Sequence, residues 1–436
     1  MKVLVLHNYY QHPGGEDVVF AEECALLESH GHQVVRFTRR NDAISAMGNW
    51  QLMRATLWNR EVARELRVLI EKERPDLMHC HNTFPLISPA AYSAARAAKV
   101  PVVQSLHNYR LFCPSGTLLR NGRTCEDCMG KLVPWPGIVH ACYRGARAPS
   151  AVVAGMLAMH RVLGTWSRRV HQYVALSDFV RRKCIEGGLP ADRVATKPNF
   201  LRSDPGIGAG CGGYAMFVGR LCVEKGIDVL LEAWERLAPD VPLKIVGDGP
   251  MRERVRAAAG RVPQIQWLGH CSAKEVLSLL GDAALLAVPS VWYEPFGLAV
   301  IEAFAKGTPV VASRIGTLAE LVEPGRTGLL FEAGNAEDLA AKVRQLMTDS
   351  ALLARMRRAA REEYESKYTA ESNYRTLMAI YEKAGVRERE GTSQDKAAYS
   401  EHGVRESRPH FRAPERTAVR TGVVRTAPAR DEEGGP

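Results

Sequence analysis

Short apolar runs and amphipathic stretches alternate along most of the chain. In the first half, runs at Val3–His7, Val34–Thr38, Leu77–His81, Val102–His107 and Tyr173–Ser177 predict buried strands. In the second half the signal recurs at Tyr214–Val218, Leu243–Val246, Ile265–Leu268, Leu285–Pro289, Val310–Ala312 and Gly328–Phe331. Between them lie patterns at helical spacing, such as Val18, Val19, Ala21, Leu26 and Leu27, or Ile227, Leu230, Leu231 and Trp234. Strands alternating with helices indicate α/β layers with mainly parallel sheets. At 436 residues the chain is too long for one typical core. The pattern divides into two doubly wound, Rossmann-like domains, residues 1–200 and 214–370, facing a cleft. A glycine-rich stretch without periodicity, 201–213, reads as the hinge between them. Residues 371–384 form an amphipathic closing helix carrying Tyr374, Leu377, Met378, Ile380 and Tyr381. The remainder, 385–436, has few large apolar residues and reads as a disordered tail.

Candidate chemistry collects at the ends of the apolar runs. Glu294 and Glu302 bracket Glu-Pro-Phe-Gly-Leu-Ala-Val-Ile-Glu, where a strand passes into a helix. The free amides of Phe296, Gly297 and Leu298 at that helix start can seat an anionic or hydroxylated ligand. On spacing alone, a capping Glu and a solvated helix Glu explain the pair equally well. Upstream, Arg220 and Lys225 leave the loop after Tyr214–Val218, two cations aimed at the crevice where open α/β sheets bind ligands. A planar fork and a point charge together suit a diphosphate. Near the N-terminus, Gly14 and Gly15 follow the first strand and open a helix, a place where backbone can approach a phosphate. His107 ends the strand that begins at Pro101.

Arg220, Lys225, Glu294 and Glu302, with the Gly14-Gly15 loop and His107, resemble the retaining nucleotide-sugar-dependent glycosyltransferases of family 4 over roughly residues 1–384. The resemblance implies the GT-B architecture, with a nucleotide-diphosphate sugar bound mainly by the second domain. Arg220 and Lys225 would neutralise the diphosphate, Gly14 and Gly15 would close over it, and Glu302 would take the ribose hydroxyls. Glu294, with the Phe296 and Gly297 amides, would hold the sugar, His107 would orient it, and Trp267–His270 would face the base. Catalysis would need no cofactor, the two cations replacing a metal, and the closing helix would cross back onto the first domain. The acceptor would be a glycan or lipid-linked hydroxyl in cell-surface polysaccharide or glycolipid assembly. Rival readings are a nucleotide-sugar epimerase of the same architecture and a non-catalytic nucleotide-sugar or membrane-binding protein. A Rossmann oxidoreductase lacks its glycine fingerprint and ribose-binding acid.

Charge sharpens the acceptor side. Residues 1–200 hold 26 Lys+Arg against 16 Asp+Glu, whereas residues 201–384 hold 22 against 23. The basic first domain suits a membrane surface or an anionic lipid-linked substrate. No base-reading module accompanies the charge, so nucleic acid is not expected as a partner. With no secretory leader pattern and no apolar run of ~18–20 residues, a cytoplasmic protein is expected, peripheral at the inner face of the membrane.

Four of the ten cysteines, Cys113, Cys125, Cys128 and Cys142, fall in a Pro- and Gly-rich insertion over 110–148. Their spacing around Cys125-Glu126-Asp127-Cys128 permits a tetrahedral thiolate site, with structural zinc as the expected occupant and an iron–sulfur cluster second. Reduced thiols filling a loop core are the other reading.

Overall fold

A computed structural model describes residues 1–11, 14–237 and 239–386. The tail expected over 385–436 falls, from residue 387 onward, outside them.

The first lobe is built on β1 (Lys2–Tyr9), β2 (Gln33–Arg40), β3 (Leu77–Asn82), β4 (Val102–Leu106), β7 (Gln172–Ala175) and β8 (Val194–Thr196). A two-stranded hairpin, β5 (Leu119–Arg120) and β6 (Arg123–Thr124), lies within the insertion. The second lobe holds β9 (Ala215–Val218), β10 (Leu243–Val246), β11 (Ile265–Gly269), β12 (Leu285–Val288), β13 (Val310–Ser313) and β14 (Gly328–Phe331). The strand orders are β2-β1-β3-β4-β7-β8 and β11-β10-β9-β12-β13-β14, parallel at every pairing. Helices cover both faces, so β3, β4, β7, β12, β13 and β14 are buried along their whole length. Each order reverses once, between β1 and β3 and between β9 and β12. At such a switch point adjacent loops diverge and leave a crevice beyond the strand ends.

The closing helix, Ala370–Lys383, returns to the first lobe. Its Leu377, Ile380 and Tyr381 share one buried cluster with Val3, Val5, Phe20, Leu27 and Val174. Residues 201–213, read as the hinge, pack closely along the second lobe. The amides of Gly208, Gly210 and Gly212 donate to carbonyls of Lys306, Gly281 and Asp282 at 2.9, 2.8 and 2.9 Å. A Cβ on Gly208 would stand 2.2 Å from backbone of Gly281. The glycines therefore allow close docking along the second lobe.

Candidate active site

The second lobe places its charged groups at the β9/β12 switch point. Beyond β9 the chain runs through exposed Arg220 into a short turn, Val223–Lys225, and then the helix Ile227–Leu237. Gly226 makes that junction possible: its φ is +70°, and a Cβ there would lie 1.8 Å from the Pro289 carbonyl oxygen. This contact presses the Lys225 turn against the end of β12. Lys225 Nζ meets Glu294 Oε1 at 2.7 Å, Ser290 Oγ donates to the same oxygen, and the Val291 amide donates to Glu224 O at 3.0 Å. Glu294 is 4% exposed, a buried carboxylate held by a half-buried ammonium.

Following it, Gly297 caps the helix Leu298–Ala305 without a side-chain capping bond. The amides of Phe296, Gly297 and Leu298 have no acceptor among the described residues. Glu302 lies half-buried on that helix, and burial alone raises its pKa. At the end of β11, Trp267 Nε1 donates to Gly247 O at 2.9 Å, so its ring is fixed to the sheet.

The first lobe meets this loop at Gly15. A Cβ on Gly15 would sit 3.0 Å from Leu298 Cδ1, so the glycine loop already touches the start of the facing helix. Below it, Asp17 accepts from the Gly14 amide at 2.9 Å and pairs with His7 Nε2 at 2.7 Å. Glu16 accepts from Tyr10 Oη at 3.0 Å and from Asn108 Nδ2 at 3.5 Å. Its other oxygen is shielded from solvent and has no hydrogen-bond partner among the described residues. Burial is the main cause that pushes the Glu16 pKa up to about 8. Glu16 has no role in the sequence analysis; its signal was only its place after the two glycines.

His107 stands on a buried chain of polar groups that sequence reasoning also missed. Its Nε2 lies 3.0 Å from His81 Nδ1, with the rings stacked at 5.2 Å. His81 and His79 approach Glu23 Oε1 at 3.2 and 3.0 Å, and Lys197 donates to Glu23 Oε2 at 2.7 Å. Burial, then the neighbouring His81, holds the pKa of His107 well below the ordinary value. Burial would raise the pKa of Glu23, but Lys197, His79 and His81 together hold it well below normal. Glu23, His79 and His81 are the one set of three such ligand atoms within 4.8 Å of one another among the described residues. The Lys197 ammonium on the same carboxylate already supplies the compensating charge, and a second cation there would be repelled. We read the cluster as an ion-pair network. The visible signal was His79-Cys80-His81, two polar residues two apart in an otherwise apolar strand.

The four cysteines all remain thiols, and all line one small cavity in the insertion. They are not gathered within 4.8 Å of one another in threes, as the three atoms above are.

Two Rossmann-like lobes, facing cations and carboxylates at their switch points, define a transferase of the GT-B class. The comparisons supply the family. The profile of the glycosyl transferase 4-like domain matches residues 14–199, and that of glycosyl transferases group 1 matches residues 212–363. The chain is 28% identical over 382 residues to glycogen synthase of Mycobacterium tuberculosis, covering 85% of this chain and 82% of that protein. It is 27% identical over 450 residues to D-inositol 3-phosphate glycosyltransferase of Rhodococcus erythropolis, covering 95% and 94%. The structure of HepE from Anabaena in complex with UDP aligns with a TM-score of 0.62 at 20% identity, covering 88% of this chain and 100% of that one. The chain belongs to the family-4 glycosyltransferases and is a GT-B glycosyltransferase acting on nucleotide sugars.

Proposed function

We propose that the enzyme moves a sugar from a nucleotide-diphosphate donor to a hydroxyl of a glycan or lipid-linked acceptor, with retention and without a catalytic metal. The observation that carries this reading is the Lys225–Glu294 pair, 2.7 Å apart where β9 and β12 diverge. Lys225 and Arg220 bind the diphosphate and stabilise its departure, a role in which preorganised charge supplies several kcal/mol. Glu294 and the open amides of Phe296 and Gly297 hold sugar hydroxyls, and Glu302 holds the ribose. His107 orients the sugar and polarises the site rather than acting as a base. Retention would proceed by front-face substitution; of the carboxylates near the glycine loop and donor loop, Glu294 is engaged by Lys225 and Ser290 and Asp17 by His7 and Gly14, while Glu16 keeps one oxygen unpaired. The departing phosphate oxygen would then take the acceptor proton, and positioning would carry much of the rate.

A lipid-linked acceptor is favoured by one surface of the first lobe. Leu132, Val133, Trp135, Val139, Val162 and Leu163 are exposed there. Arg161 Nη1 donates to the carbonyl of Leu132 at 3.2 Å, which brings the ends of this patch together beside Lys131. No helix among the described residues is long and apolar enough to cross a membrane, so contact through this patch would be peripheral, on the cytoplasmic side.

The test is a thermal-shift panel of UDP, GDP, ADP and their sugars without added metal, followed by product analysis of the anomeric configuration. A bound donor at 100 Kd adds about 2.7 kcal/mol of stability. Silence toward every nucleotide would overturn the donor site. Sugar conversion without any acceptor would favour an epimerase instead.

A further inference from the structure

The insertion between β4 and the helix Arg147–Val162 has little regular structure: the hairpin β5–β6 and one five-residue helix, Trp135–Val139. It nevertheless packs as a defined body, with Tyr109, Phe112 and Leu118 buried. Cys113, the Cys125–Cys128 turn and Cys142 enter from three separate pieces of it. The Cys125 amide donates to Leu118 O at 2.8 Å, and the Cys142 amide donates to Gly137 O at 2.9 Å. All four, with Asp127 and His140, line one cavity of about 10 Å³, room for a single water-sized sphere. Thiols that merely filled a core would close such a space. Instead the four cysteines line it together.

The other face of this body reaches the donor loop. Glu126, inside the Cys-x-x-Cys turn, pairs with Lys183 at 2.9 Å. Thr124 and Glu126 lie close to the hydroxyl of Tyr293, the residue immediately before Glu294. Tyr293 also packs on Phe179, ring centroids 4.8 Å apart.

We propose that Cys113, Cys125, Cys128 and Cys142 bind one structural zinc ion, and that this ion fixes Thr124 and Glu126 against Tyr293 beside the donor-binding carboxylate. Zinc suits a closed set of four thiolates, drawing the sulfurs to about 2.3 Å from the ion. With four protein ligands it has no open position for substrate. Its contribution is to hold the wall of the cleft that joins the two lobes.

The experiment is elemental analysis of the full chain purified from zinc-supplemented culture, with cobalt replacement after stripping under reducing conditions. We expect one zinc per chain, released by a mercurial and counted with a chelating dye. The cobalt form should show thiolate-to-cobalt charge transfer and the visible bands of a tetrahedral site. Cys125→Ser/Cys128→Ser should lose the metal, whereas Cys211→Ser and His140→Ala should keep a full equivalent. Unaltered protein with under a tenth of an equivalent and no cobalt spectrum would overturn the site. So would bound iron, a disulfide among these cysteines, or metal lost with His140→Ala and kept with Cys142→Ser. The link to the donor loop predicts that stripping raises the donor KM at least several-fold, and that Tyr293→Phe shows part of that rise with zinc retained. Equal KM with and without zinc would overturn the link. Metal content is read without any transfer assay, so failure of the zinc site and failure of the proposed function are distinguishable.

Discussion

Replacing Glu23 with Gln removes the one anion that His79, His81 and Lys197 share. The variant keeps the shape of the side chain and leaves the Lys197 ammonium, 1% exposed, with Asn373 Oδ1 at 3.1 Å as its remaining acceptor. At 2.7 Å and an effective dielectric near 20, the gross attraction of Lys197 and Glu23 is about 6 kcal/mol. Desolvation offsets much of this while both partners are present, but a stranded charge gains no such offset. Breaking a buried pair from one side costs about 3–5 kcal/mol. For a lobe of this size, at roughly 2–4 °C per kcal/mol, the midpoint should fall by roughly 6–20 °C. Thermal unfolding followed by tryptophan fluorescence measures it. Replacing both charges, Glu23→Leu with Lys197→Met, should recover at least half the loss, because an apolar pair needs no compensation. The sign with pH is also fixed. Glu23 has a depressed pKa in the fold, so its contribution is complete above about 4.5, the unfolded value, and is lost as pH falls through the folded one. The gap between the native protein and Glu23→Gln should therefore narrow only in acid. A single variant costing under about 1 kcal/mol, or a double variant as unstable as the sum of the singles, would refute the reasoning.

Other substitutions probe the cleft. Arg220→Ala or Lys225→Ala should weaken nucleotide-diphosphate binding, each by at least about 1.5 kcal/mol or roughly tenfold in Kd, as loss of a charge-assisted hydrogen bond implies; unchanged kcat/KM in both would remove the diphosphate role. Glu16→Gln should abolish a pH-dependent limb near 8 in kcat/KM, and the native protein's stability should decline from about pH 4.5 toward 8 relative to the variant, because a raised carboxyl pKa favours folding only while it is protonated; parallel profiles would dismiss Glu16. Gly15→Val should push on Leu298 and open the contact between lobes, raising donor KM about tenfold with a nearly unchanged melting point; native KM would show that this contact does not govern donor closure.

The strands were legible because a buried parallel strand announces itself as an apolar run, and all eleven expected strands are present. The one sheet strand missed, Val194–Thr196, is three residues long at an edge and has a single buried residue, so no run marks it. The glycines of 201–213 were legible as unusual, but their close packing on the second lobe was not. Glycine allows both motion and close approach, and only the positions of Gly281, Tyr214 and Arg357 show the latter. Arg220, Lys225 and Glu294 could be placed because each lies a few residues beyond a strand end, where the topology itself makes the crevice.

The network under His107 was hidden for the opposite reason. Glu23 comes from the first helix, His79 and His81 from β3, His107 from beyond β4, and Lys197 from beyond β8. No spacing relates them. Their convergence also explains why the closing helix belongs to the site. Tyr381 lies 2.8 Å from His79 Nδ1, Asn373 accepts from Lys197, and Asn373 Nδ2 donates to Pro198 O at 2.7 Å. The helix that leaves the donor-binding lobe thus completes the polar floor on which His107 rests. Releasing that helix would expose a paired carboxylate and ammonium to water and leave the histidine stack without its base. The orientation of His107, proposed to face the sugar, is therefore tied to the two lobes being joined, a dependence that neither domain's sequence states alone.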